Sequence, residues 1–269
     1  MPVLDLVALG QDGDGRYTAA HCPSSGDRLL GSGVLAASVT AAAATVGGHL
    51  TPAALQATFV RAGARTDPVV LDVSHEHDGR RAATRRVAAS QAGRAIVVSS
   101  VRFHQDAPDG QGWQPARPAG VVGPDVGRAE DAAVGSLELL DDFEVVAAVE
   151  SPPRPVIHPY WVRARSRLPD DPGVHAALVA FLTDIGVSGS ALAPGTRMRD
   201  RLAARSLDHC LWWHRRARVD DWLLVDASSS VNAGGRGLAR GEVWSADGAL
   251  VASFAQEVLL GVDAGHEDK

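Results

Sequence analysis

The alternation of apolar and polar residues divides this chain into two similar series of segments. Each series opens with an apolar stretch of helical length, residues 31–48 in the first and 174–186 in the second. Four segments of strand length follow each stretch. They read LQATFVRAGA, PVVLDVSHEH, RRAATRRVAAS and RAIVVSSVRFH in the first series, and DHCLWWHRRARV, DWLLVDASSS, GRGLARGEVWS and ALVASFAQEVLL in the second. The pattern predicts one buried helix followed by an antiparallel meander, twice.

The turn residues indicate that the two series are copies of one unit. The last hairpin turns at Gln91-Ala92-Gly93 in the first series and at Ala246-Asp247-Gly248 in the second, and glycine supplies the positive φ that such turns need. These glycines are 155 residues apart (248 − 93), and the same shift pairs Arg85 with Arg240. An internal repeat of about half the chain indicates duplication of one α+β unit.

A stretch rich in Pro, Gly and Asp, without periodicity, separates the copies and is typical of a connector. We therefore predict an N-terminal unit over residues 1–105, a connector over 106–134 and a C-terminal unit over 135–269. Strand character resumes at FEVVAAVE (143–150) and WVRARSRL (161–168).

Composition and charge exclude several classes of protein. The net charge of −6 argues against a nucleic-acid surface, since phosphate binding needs clustered Lys and Arg. Two cysteines, Cys22 and Cys210, make no disulfide framework. The N-terminus lacks the basic region of a secretory signal, and residues 31–48 are too weakly apolar to span a bilayer. We predict a cytoplasmic protein with no membrane partner.

Polar residues interrupt the strand-like segments at three positions of the second copy: Asp208, Ser230 and Gln256. If these segments are neighbouring antiparallel strands, the three side chains can converge. A carboxylate, a hydroxyl and a carboxamide within hydrogen-bond reach could hold a water molecule and take its proton. This hypothesis predicts hydrolysis without a serine nucleophile. By contrast, His75 and His77 lack a third ligand, so we predict no metal and no cofactor.

Two tandem helix-and-sheet units are the layout of a double hotdog, and the segments SLDHCLWWHR, DWLLVDASSSVNAGGRGLARG and DGALVASFAQE resemble the acyl-CoA thioesterase II family, the TesB-like enzymes. The first half, from FVRAG to GRAIVVSSVRF, resembles that family's N-terminal hotdog. The resemblance implies an α+β double hotdog, an acyl-CoA substrate, water-activated thioester hydrolysis and a homo-oligomer.

The resemblance also implies site residues. The family's Asp, Thr or Ser, and Gln fall on Asp208, Ser230 and Gln256, with Ser228 as the competing hydroxyl on the same strand face. A shift of 155 residues leads from these three to Ala53, His75 and Val101, so the first copy is expected to be chemically silent.

Four further residues are candidates for substrate binding: Gly33, Ser228, Arg236 and Trp213. Gly33 belongs to Gly31-Ser32-Gly33, where the family pattern usually follows a Gly-Gly pair with Gln, and which opens a helix suited to an anion or oxyanion. This departure keeps a second hypothesis open, a non-catalytic acyl-CoA binding protein. A third is a hotdog hydratase or dehydratase that uses Asp208 with His214.

Overall fold

The computed structural model describes residues 2–107, 112–127, 142–150, 158–192 and 204–260. Both apolar stretches are helices within it, α1 at Gly31–Ala43 and α2 at Pro172–Asp184. A 3₁₀ helix at Val3–Val7 and a single helical turn, α3 at Val187–Ser190, complete the helices of the described residues. Neither long helix has a polar stripe, because both are enclosed by the rest of the fold.

The strands follow the predicted order, and all eight predicted meander strands are confirmed. In chain order the strands are β1 Leu9–Gly13, β2 Arg16–Ala19, β3 Ser24–Ser25, β4 Arg28–Leu29, β5 Thr51–Phe59, β6 Val70–Asp78, β7 Ala82–Gln91, β8 Arg94–His104, β9 Phe143–Ala147, β10 Tyr160–Ala164, β11 Arg205–Ser206, β12 Asp208–Trp213, β13 Leu223–Ala233, β14 Arg236–Ser245 and β15 Leu250–Leu259. The two predicted hairpin glycines have positive φ, +72° at Gly93 and +92° at Gly248.

The two copies share one antiparallel sheet. Its central order is β6-β7-β8-β5-β12-β15-β14-β13, so the first copy is repeated in reverse on the other side of the β5–β12 pair. Residues directly opposite one another on paired strands lie on the same face. Val87, Ser99, Ala57 and His209 form such a row across the centre of the sheet. The fold is therefore an α+β double hotdog with an approximate twofold relation between its halves.

The two helices lie antiparallel on the inner face of this sheet, and small residues allow them to approach closely. A Cβ atom on Gly31, where α1 begins, would lie 3.2 Å from Oδ2 of Asp184, where α2 ends. At the opposite end, a Cβ on Gly173 would lie 3.6 Å from the Cβ of Ala43. Each helix start thus meets the other helix's end, which joins residues of both copies at two corners.

One apolar helical stretch, Pro172–Ser190, has the length and composition of a membrane span, but 61% of its apolar window is buried inside the described fold. Burial against α1 and the sheet accounts for its composition. The predicted domain boundaries stay predictions, because much of the connector, including residues 128–141, lies outside the described residues.

Candidate active site

Gln256 and His209 form the buried centre of the site. Both side chains have no exposed surface, and they lie on the neighbouring strands β15 and β12. Nδ1 of His209 is 2.7 Å from Oε1 of Gln256, and Nε2 of His209 is 3.1 Å from the hydroxyl of Thr183. A carboxamide oxygen only accepts hydrogen bonds, so Nδ1 of His209 carries a proton and donates it. This contact fixes which way the carboxamide faces.

Ser206 receives the other end of the carboxamide. Nε2 of Gln256 donates a hydrogen bond of 2.6 Å to Oγ of Ser206. Ser206 lies on the two-residue strand β11, which pairs with β15 beside Val258. Because Oγ accepts from Gln256, the hydroxyl proton of Ser206 is free to point toward a third group.

Asp184, the last residue of α2, is that third group. The side chains of Ser206 and Gln256 and the backbone N–H of Ser32 stabilise its anion. Burial outweighs these contacts, so the pKa of Asp184 lies above its ordinary value of 3.8. Its Oδ1 is enclosed and has no hydrogen-bond partner among the described residues. Asp184 is therefore a half-buried carboxyl group with one enclosed, unpartnered oxygen.

The hydrogen bonds run in one direction, from His209 through Gln256 and Ser206 toward Asp184. Burial is also the main influence on His209 and lowers the pKa of its imidazole, so the ring is neutral at pH 7. His209 is thus the donor at one end of this series of hydrogen bonds, and Asp184 is the acceptor at the other. Such an arrangement can bind a water molecule and remove its proton.

Asp208 is not part of this group. It precedes His209 on β12, so its side chain faces the other side of the sheet. Its Oδ1 accepts a hydrogen bond of 2.9 Å from the backbone N–H of Glu257. The expected convergence of Asp208 with Gln256 is therefore wrong, because two adjacent strand residues cannot both point inward.

Ser230 and Ser228 are also outside the group. Both are exposed on β13, which bulges between Ser229 and Val231. Ser229 is the serine in register with Ala239 and Gln256, and its hydroxyl donates to the Ala191 carbonyl at 3.0 Å. Ser230 is the extra residue of the bulge, and within the described residues neither Ser230 nor Ser228 hydrogen-bonds to Gln256, so their expected convergence with Gln256 finds no support there.

The predicted substrate-binding residues are dispersed. Gly33 packs against the loop before α1, where an added Cβ would lie 2.5 Å from Cδ of Pro23. Arg236 pairs with Glu257 at 2.8 Å on an exposed surface. Trp213 lines a groove at the start of α2, at the other end of that helix from Asp184. None of these contacts tests a role in substrate binding, so those roles stay predictions.

The other chemistries considered from the sequence find no support in the geometry. Nε2 of His214 contacts Oγ of Ser253 at 2.9 Å, so His214 and Asp208 make no acid–base pair. In the described ranges, no group of three or more His, Cys, Asp or Glu side chains could hold a metal ion.

The sequence carried one signal for Asp184 that pattern reasoning missed. An acidic residue at the C-terminal end of a helix is unfavourable, because the helix dipole places partial negative charge there. Asp184 is the one ionised side chain near the end of an otherwise apolar helix, VHAALVAFLTDIG. Such a local conflict marks a candidate functional residue. Ser206 had no comparable signal.

Comparison with known proteins agrees with this architecture. Residues 18–104 match a family model described as the acyl-CoA thioesterase N-terminal domain, and residues 116–260 match the corresponding C-terminal domain. Acyl-coenzyme A thioesterase 8 of Mus musculus is 31% identical over 285 aligned residues, covering 96% of this chain and 87% of the relative.

Solved structures give the same result. The acyl-CoA thioesterase II TesB2 from Mycobacterium marinum superimposes with a TM-score of 0.81 at 30% identity, covering 98% of this chain and 100% of that one. A tesB protein from Mycobacterium avium subs paratuberculosis has a TM-score of 0.80 at 28% identity, covering 97% and 98%.

The double hotdog fold defines the class of this protein, and Asp184, Ser206 and Gln256 lie together at one corner of it. The matches over both halves make the assignment specific. The chain belongs to the acyl-CoA thioesterase family, and its activity is the hydrolysis of acyl-CoA thioesters.

Proposed function

We propose that Asp184, Ser206 and Gln256 are the catalytic residues of this thioesterase, in place of the Asp208 and Ser230 expected from the sequence. The observation that carries this proposal is the vacant, enclosed Oδ1 of Asp184 beside the Ser206–Gln256 hydrogen bond. Asp184 acts as the general base. Burial raises its pKa above the ordinary value, which makes it a stronger base than an exposed aspartate.

In the proposed reaction, a water molecule donates one hydrogen to Oδ1 of Asp184. Oγ of Ser206 accepts the other hydrogen of the water, so that the water's lone pair faces the thioester carbonyl, while the second N–H of Gln256 holds the carboxylate of Asp184 in place. A bond forms from the water oxygen to the carbonyl carbon, and the carbon–sulfur bond then breaks. The proton held by Asp184 passes to the departing sulfur, so the products are a carboxylic acid and free CoA.

His209 has a positioning role in this proposal. It does not touch Asp184 by any hydrogen bond of the described residues, but it occupies Oε1 of Gln256 and so directs the two N–H groups of that carboxamide outward to the site. Thr183, in the last turn of α2, holds the imidazole from its other side. The helix that carries Asp184 therefore also orients the partner of Gln256.

The test compares two isosteric substitutions, Asp184→Asn and Asp208→Asn, by release of free thiol from a panel of acyl-CoAs. Loss of a general base lowers the rate by about a hundredfold or more, so we expect at least that fall in kcat/KM for Asp184→Asn. Asp208→Asn keeps an oxygen that accepts from Glu257, and it should stay within about threefold of wild type. The reverse ranking would refute the assignment.

The same panel tests the second candidate function, a non-catalytic acyl-CoA binding protein, which the Gly31-Ser32-Gly33 segment suggested. Binding of acyl-CoA by wild type without any thiol release would favour it. The acyl chain preference will follow from the panel. A homo-oligomer and a cytoplasmic location remain expectations, which light scattering and cell fractionation would test.

A further inference from the structure

A groove of about 700 Å³ lies at the end of α2 opposite Asp184. Its inner wall is the first turns of α2, at Pro172, His175 and Ala176, and the start of β5, at Thr51–Ala53. Asp184 lies nine residues beyond His175 on α2, which is about 13 Å along the helix axis. The groove is thus separate from the proposed catalytic corner by most of a helix.

The twofold relation between the halves makes this groove the counterpart of the catalytic corner. Ala43 ends α1 as Asp184 ends α2, and it meets Gly173 as Asp184 meets Gly31. By the 155-residue shift between the copies, Val101 of β8 corresponds to Gln256 of β15 (256 − 155). This corner therefore has neither the carboxylate nor the carboxamide, and a ligand bound there would not be hydrolysed.

The rim of the groove carries an excess of positive charge. Arg102, Arg215 and Arg216 line it against one carboxylate, Asp106. Arg216 is paired with Asp106 at 2.6 Å, and Arg215 donates to the Leu250 carbonyl. Exposed Arg102 has no carboxylate partner in the described part of the chain, so its charge is available to an anion.

The wall beneath the rim is apolar. It is formed by Pro52, Ala53, Val179, Ala217, Val251 and the ring of Trp213. The imidazole of His175 closes the inner end; its Nδ1 accepts a hydrogen bond from the backbone N–H of Val219 at 3.1 Å, and the side chain is only 4% exposed. An apolar wall below a cationic rim matches a ligand with an alkyl chain and an anionic end.

We propose that this groove is a second, non-hydrolytic site for an anionic acyl compound, either an acyl-CoA or the fatty acid that hydrolysis releases. The two sources share an alkyl chain and an anionic end. The non-hydrolytic part of the proposal rests on the proposed catalytic role of Asp184, because its absence from this corner is what leaves a ligand intact. Trp213 then contacts the second ligand rather than the one being hydrolysed.

The test is equilibrium dialysis of the full chain carrying Asp184→Asn with three probes: decanoyl-CoA, CoA and decanoate. We expect two molecules of decanoyl-CoA per chain. The double substitution Arg102→Ala and Arg215→Ala should weaken one of the two sites by at least about tenfold, the effect of losing a charge-assisted hydrogen bond. Arg86→Ala is the matched control, since Arg86 is an exposed arginine of the same sheet that does not line the groove, and it should leave two sites.

The probes distinguish the two sources. Weakened binding of decanoate in the double variant identifies a carboxylate at the rim, and weakened binding of CoA identifies phosphates. One decanoyl-CoA per chain, or a second site indifferent to the double substitution, would overturn the proposal. The double substitution is also made in the protein that keeps Asp184, and thiol release is measured. If it changes only the KM for long acyl-CoAs, the groove is the far end of the substrate channel, and the proposal is overturned. Thiol release by Asp184→Asn instead refutes the catalytic assignment, while CoA and decanoate, which cannot be hydrolysed, still report on the groove.

Discussion

At the scale of single residues, the site places the carboxyl group of Asp184 where burial disfavours its charge, at the end of the hydrogen bonds that run through Gln256 and Ser206. Burial, the largest influence on Asp184, raises its pKa in the folded protein. The unfolded chain has the ordinary value of 3.8. Because its pKa is raised on folding, Asp184 opposes folding at pH values above 3.8, and that penalty is absent once the pH falls below 3.8, where the carboxyl is protonated in both states. The proposed catalytic group therefore costs stability above pH 3.8.

This cost predicts that Asp184→Asn is more stable than wild type at pH 7 although it is inactive. The difference in melting temperature should shrink as the pH is lowered and disappear below pH 3.8, because wild type then carries a neutral side chain as well. Thermal unfolding followed by circular dichroism from pH 3 to pH 8 measures it. Equal melting temperatures at pH 7 would contradict a raised pKa.

The raised pKa also predicts the pH dependence of the rate. The base must be ionised, so kcat/KM should fall on the acid side of a midpoint above 3.8, the ordinary value for an aspartate. Wild-type kcat/KM on one acyl-CoA, measured at constant ionic strength, gives this midpoint. Asp208→Asn should leave this midpoint unchanged. A shifted midpoint in that variant would show that the fall in kcat/KM at low pH comes from protonation of Asp208.

His209 is predicted to act through Gln256, and the prediction separates orientation from packing. His209→Leu removes the donor to Oε1 of Gln256, and we expect kcat to fall by about tenfold to a hundredfold with little change in KM. His209→Asn restores an N–H at the position of Nδ1 and should recover most of kcat. Both variants leave a similar void in the core, so equal kcat values for the two would indicate that only packing matters.

At the scale of elements, the ends of the two helices differ in a way that separates their tasks. The start of α2 is capped by Asp171, whose Oδ1 accepts from the backbone N–H groups of Gly173 and Val174. The start of α1 follows Leu30, which provides no side-chain cap, and the N–H of Ser32 is turned to Asp184 instead. The first N–H groups of α2 are therefore satisfied by a side-chain cap, whereas an N–H group at the start of α1 is directed to Asp184.

Asp171→Ala is therefore predicted to lower stability without lowering activity. Loss of an N-cap costs about 1 kcal/mol, and the cap lies at the far end of α2 from the catalytic corner. Urea unfolding measures the change in the free energy of unfolding, and thiol release at 25 °C measures activity. Asp170→Ala is the control, because Asp170 is an exposed partner of Arg218 and caps no helix, so its loss should cost little. A large fall in kcat for Asp171→Ala would contradict the separation.

At the scale of the whole molecule, the catalytic corner needs both copies. Asp184, Ser206 and Gln256 belong to the second copy, whereas the N–H of Ser32 that stabilises the anion comes from the first. The β5–β12 pair also joins the copies through backbone hydrogen bonds, from the Asp208–Thr58 pair to the Trp212–Ala54 pair. A second copy alone would expose the edge of β12 and lose one wall of the site.

This dependence predicts that residues 112–269, produced alone, are inactive although they hold the three proposed catalytic side chains. Mixing them with residues 1–107 should restore thiol release to a measurable level, because strand pairing between β5 and β12 can form between chains. The readout is activity against the ratio of the two fragments. Full activity of the second fragment by itself would show that Ser32 and β5 are dispensable.

The sequence by itself determined the elements of this protein and their duplication. Apolar stretches of helical length, segments of strand length and glycine at turns that need positive φ are local properties of the chain. They therefore predicted the helices and the strands of both meanders. The resemblance to a family gave the double hotdog and the thioesterase activity. Gln256 was found because a carboxamide within an apolar strand-like segment can be recognised from the sequence alone.

Only the tertiary structure decided which residues meet Gln256. Alternation along a strand says that Asp208 and His209 face opposite sides, but not which side is the inside, and β12 turns His209 inward. Asp184 lies 72 residues before Gln256 (256 − 184), and its place depends on the antiparallel packing of two helices from different copies. Contacts of that kind follow from how whole elements pack together, which no spacing along the chain expresses.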